Sequence, residues 1–92
     1  MNIAERTALE EQKVRDLLDH LKKHPKSPKK LDWGFISGVN FAEGGMTGTL
    51  GQAIKEAQKI ANSTGRDISV KLEVKTDWVS ANYTVSIVKP KK

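Results

Sequence analysis

The chain has 92 residues, 16 Lys and Arg against 11 Asp and Glu for a formal net charge of +5, and no cysteine. That length holds one domain with one core. The missing cysteines exclude a disulfide framework, a thiol nucleophile and a thiolate metal site, and no apolar run nears the roughly 20 residues of a membrane span. The start reads as a charged helix without a signal region, so the expected location is cytoplasmic.

A first helix is expected over residues 2–24. Asn2 stands three residues before Glu5 in a capping arrangement, and Ile3, Thr7, Val14, Leu17, Leu18 and Leu21 fall on one face at helical spacing. Pro25 closes the helix by disfavouring α geometry at His24. Residues 25–32 then read as an extended, solvated basic linker with two prolines.

From Trp33 to Ala42, bulky Trp33, Phe35, Val39 and Phe41 alternate with Gly34, Ile36, Gly38 and Asn40, which predicts a strand over residues 33–42. Residues 43–49 read as a glycine-rich turn. Thr49, three residues before Gln52, opens a second helix over 50–63, whose Leu50, Ala53, Ile54, Ala57, Ile60 and Ala61 make one apolar face. Gly65 stops it. Residues 67–88 alternate in two runs, Ile68, Val70, Leu72 and Val74 and then Val79, Ala81, Tyr83, Val85 and Ile87, as an antiparallel hairpin with one wet face.

The expected fold is thus α+β, in the order helix, strand, helix, strand, strand. It has a small three-stranded sheet ending in the hairpin, with the second helix on one face and a right-handed strand-helix-strand crossover. So thin a core, with the run from Ile68 to Val74 as a regular edge strand, points to a homodimer.

Charge is unevenly placed. Lys22, Lys23, Lys26, Lys29 and Lys30 fall in one nine-residue stretch without an acid, and Lys89, Lys91 and Lys92 form a basic tail over 89–92. Without those eight, the remainder holds eight basic and eleven acidic residues, a formal −3. The run Ser27-Pro28-Lys29-Lys30 resembles the Ser-Pro-Lys-Lys element of some chromosomal-protein tails, and the resemblance implies minor-groove contact with A/T-rich DNA. Physically, the proline extends the chain and the lysines neutralise phosphates; the bland counterpart is a solubilising linker. Trp33 beside the linker, and Trp78 at the hairpin, are candidates for stacking on bases, set against closing a small core. The second helix and the basic-ended hairpin resemble the closing half of small archaeal-chromatin-type α/β folds, whose opening strand and lysine-rich loop this chain lacks.

Other constellations are weaker. Gly44, Gly45, Thr47, Gly48 and Thr49 precede a helix N-terminus, where a phosphate-bearing ligand could sit, but the lysine of a P-loop is missing. Asp16, His20 and His24 lie at four-residue intervals without a further ligand, so no metal is assigned. No nucleophile stands in a motif with a base, so no catalytic residue and no cofactor are assigned, and the chain reads as non-enzymatic. Three functions follow: low-specificity nucleic-acid binding through linker and tail; a protein-interaction module or inhibitor of a larger partner, of the kind a phage or mobile element encodes; and capture of a small phosphorylated ligand.

Overall fold

The stripes and alternations resolve, in a computed structural model that describes residues 2–38, 41–75 and 80–91, into six elements. They are α1 (Ile3–Lys23), β1 (Leu31–Ser37), β2 (Phe41–Gly48), α2 (Leu50–Thr64), β3 (Ile68–Lys75) and β4 (Ser80–Val88). The chain is α+β as expected, but its antiparallel sheet has four strands, in the order β2-β1-β3-β4, and not three. Val39, Trp78, Val79 and Lys92 lie outside the described residues.

The fourth strand comes from the segment read as one strand and a turn. The chain reverses after Ser37, helped by Gly38 at a φ of 63°, and Phe41–Gly48 returns along β1. Residues 43–48 are therefore strand. Between Phe35 and Ile36 the register slips by one residue, leaving Glu43 as the extra residue of a bulge beside Gly44, whose φ of 147° favours glycine. That bulge serves the core: the fully buried Ser37 hydroxyl donates to Glu43 Oε1 at 2.9 Å.

Antiparallel partners share a face, so Trp33, Phe35 and Ser37 of β1 project with Leu72, Val70 and Ile68 of β3, and Val88 of β4 joins them. All are buried. Leu50, Ala53, Ala57 and Ala61 of α2 pack on this face, the small alanines letting the helix axis approach the sheet. Leu21 of α1 completes the cluster, with Leu17 and Leu18 half-buried against it. The opposite face carries Asp32, Ser69, Lys71, Glu73, Asn82 and Thr84, with Gly34 buried under Glu73. A register slip at Val85 also turns Ile87, expected on the apolar face, onto this side opposite Ser69, where it is exposed, and sends Val88 into the core instead.

Two topological expectations change. Since β1 runs antiparallel to both β2 and β3, those two run the same way, and β2-α2-β3 is a crossover that passes over β1. The residues from Ile68 to Val74, read as an edge, lie in an interior strand between β1 and β4.

The helix ends follow their signals. Asn2 Oδ1 accepts from the Glu5 amide at 2.8 Å, and the His24 amide closes α1 on His20 O at 2.8 Å. Thr49 and Gln52 form the full reciprocal box, at 3.2 Å and 2.9 Å. Gly65 ends α2 in the left-handed conformation at a φ of 71°. Among the described residues no helix is long and apolar enough to cross a membrane.

Candidate nucleic-acid interface

The segment between α1 and β1 is not the free, extended linker its composition describes. Ser27 is buried, its amide donates to His24 O at 3.0 Å, and its Oγ lies 3.3 Å from His20 Nε2. The Lys29 amide also reaches that oxygen, at 3.4 Å. The two prolines and these bonds fold the segment back over the end of α1. There His20, Lys23, His24, Pro25, Lys26, Ser27 and Pro28 line an open hollow of about 540 Å³, with the two histidine rings 4.9 Å apart.

On its other side the same segment meets α2. Pro25, Lys26, Ser27 and Pro28 face Thr49, Gly51, Gln52 and Lys55 across a second hollow of about 290 Å³. Lys26, Lys29 and Lys30 are exposed, and of these Lys26 lines this hollow beside Lys55. Lys30 instead borders Leu31, Asp32 and Lys75, at the far end of β3. Lys22 is exposed on the last turn of α1, and Lys23 pairs with Asp19 at 3.0 Å.

The tail returns to the same helix. Gln58 Nε2 donates to Lys89 O at 2.9 Å, and the Lys91 amide donates to Asn62 Oδ1 at 2.7 Å. Asn62 Oδ1 also accepts from Gln58 Nε2 at 2.9 Å, so both side chains are held in place for the tail. Both basic segments thus dock on α2, the first at its opening turns and the second at its closing half.

Between them lie Lys55 and Lys59, both exposed and one turn apart. At about 100° per residue they fall roughly opposite the face made by Leu50, Ala53, Ala57 and Ala61. The result is a strip of five lysines, Lys26, Lys55, Lys59, Lys89 and Lys91, following a helix whose only acidic residue is Glu56. From Gly51 to Asn62 it covers about 16 Å of helix. Lys55 and Lys59 were legible as an i, i+4 pair on a polar helix face, but the acidic balance of the folded body concealed them.

The structure removes other candidates. Trp33 is buried, with Nε1 donating to Gly48 O at 2.9 Å, so it is a core residue and offers no face to a base. Gly44, Gly45, Thr47 and Gly48 belong to β2 and form no phosphate-cradling loop. Thr47 Oγ1 is taken by Asp32 Oδ1 at 2.8 Å and Thr49 Oγ1 by its cap. Among the described residues no three His, Cys, Asp or Glu are grouped to hold a metal ion. The open sheet face sets Lys71 and Lys75 against Asp32 and Glu73 and is balanced in charge.

The chain matches no protein-family model, and comparison with curated proteins and with solved structures gives no match either.

Proposed function

We propose that this protein is a non-enzymatic nucleic-acid-binding module of low sequence specificity, acting in the cytoplasm, whose contact surface is the outer side of α2. The observation that carries this reading is the docking of two separate basic segments on one helix, where their lysines join Lys55 and Lys59. A phosphate backbone is the polyanion such a strip fits, because each ammonium can displace a condensed counterion. Lysine is a mobile point charge without the planar fork that reads base edges, so the contacts position the duplex or strand and leave its sequence unread.

Fluorescence anisotropy of labelled duplex DNA, single-stranded DNA and RNA, titrated with the protein at low salt, tests the reading. Lys55→Gln with Lys59→Gln is compared with Lys71→Gln with Lys75→Gln, which removes the same charge from the open sheet face. Binding weakened by the first pair and nearly untouched by the second is the expected result. Equal weakening by both would reduce the effect to net charge, and no binding at low salt would dismiss the function.

A further inference from the structure

The sheet ends on β2 at one side and on β4 at the other, and the two edges are built differently. β2 carries a charged residue, Glu43, and three glycines, Gly44, Gly45 and Gly48, which weaken a strand, while each edge strand has one bulge, at Glu43 in β2 and at Val85 in β4. β4 reads Ser-Ala-Asn-Tyr-Thr-Val-Ser-Ile-Val, nine residues with no charge and no proline in a chain where 29% of residues are charged. Its flanking tail does not fold back over it, because Gln58 and Asn62 draw residues 89–91 to α2. Each edge strand shows one exposed large apolar residue, Ile87 on β4 at 59% and Phe41 on β2 at 61%, so charge and glycine content are what distinguish them.

We infer that β4 is a self-association edge, which takes β4 of a second copy in antiparallel pairing to give a continuous eight-stranded sheet. Neutrality is what selects the occupant: an identical strand meets this edge without like charges, and the donors and acceptors it offers match its own by symmetry. Because β4 pairs with its own counterpart about a two-fold axis, the association closes as a dimer and does not propagate as a filament. The extra residue Val85, where Val70 pairs with Ser86 but Lys71 with Thr84, interrupts β4. The uninterrupted Ser80–Thr84 stretch is therefore the pairing segment. Its centre is Asn82, which sits on the dyad opposite its counterpart, with Tyr83 opposite Ala81 on the core side.

Two substitutions at Asn82, an exposed position, test this. Asn82→Lys places like charges directly across the dyad while facing Glu73 within its own sheet, so it opposes the dimer and favours the monomer fold. Sedimentation equilibrium from micromolar to millimolar protein should give twice the monomer mass for the native chain and for Asn82→Ser, and the monomer mass for Asn82→Lys with an unchanged circular dichroism spectrum. Asn82→Cys should oxidise rapidly to a disulfide-linked dimer, unambiguously since the chain has no other cysteine, whereas Ala42→Cys on β2 should not. A native chain that stays monomeric, a dimer that survives Asn82→Lys, or equal crosslinking at both edges would overturn the inference.

Discussion

Replacing Lys55 and Lys59 by Gln gives a salt dependence that can be worked out beforehand. If all five strip lysines meet phosphates, the slope of log K against log salt for duplex DNA is about −4.5, from roughly −0.9 per neutralised phosphate. Between about 50 mM and 200 mM salt the native chain then loses affinity by about 500-fold. With three lysines left, the slope falls to about −2.7 and the loss to about 40-fold. On single strands the corresponding slopes are about −3.5 and −2.1. Both substitutions keep α2 intact, because Lys55 and Lys59 are exposed and Gln is nearly as good a helix former as Lys. Anisotropy titrations at four or more salt concentrations measure the slopes directly. A native slope near zero, or one that Lys55→Gln with Lys59→Gln leaves unchanged, would refute the placement of phosphates along α2.

Three further outcomes follow from the packing. Trp33→Phe leaves the buried Gly48 carbonyl without its indole donor and should cost about 1–3 kcal/mol in urea melts, while nucleic-acid affinity stays at the native value. Gly45→Ala puts a methyl 2.9 Å from the Trp33 carbonyl oxygen, a backbone atom that cannot turn aside, so thermal melting should fall by an amount matching about 1–3 kcal/mol of overpacking. Thr49→Ala removes one half of the α2 capping box and should lower stability by about 1 kcal/mol, read from the midpoint of chemical denaturation.

Helix α2 and the β3-β4 pair were legible in the sequence because each announces itself locally. The apolar face of α2 repeats over three turns between a Thr49–Gln52 box and Gly65, and the β3 alternation is unbroken. The first hairpin was not legible, for two reasons. Period-two alternation of Trp33, Phe35 and Phe41 continues through the reversal after Ser37, so the pattern looks the same for one strand of ten residues as for two shorter ones. Residues 43–48 also have the composition of a turn and become a strand only through their pairing with β1, a long-range term that outweighs weak local preference. The site divides in the same way. That the charge lay in two segments could be read directly, but their convergence depends on Ser27 tucking under His20 and on two amide side chains of α2 catching the tail. The proposed recognition surface is a product of tertiary structure, and Trp33, the aromatic nearest to it in sequence, belongs to the interior.

The grip of Gln58 and Asn62 on the tail governs how the molecule can be handled. Anything joined after Lys91, whether affinity tag, dye or fusion partner, leaves the domain beside α2 and shares the space that the proposed nucleic-acid contact needs. The opposite attachment point is remote: the 21 residues of α1 set Asn2 about 30 Å from the turn at His24. Reporters placed at the start of α1 leave the lysine strip clear, and those placed at the other end act as built-in competitors.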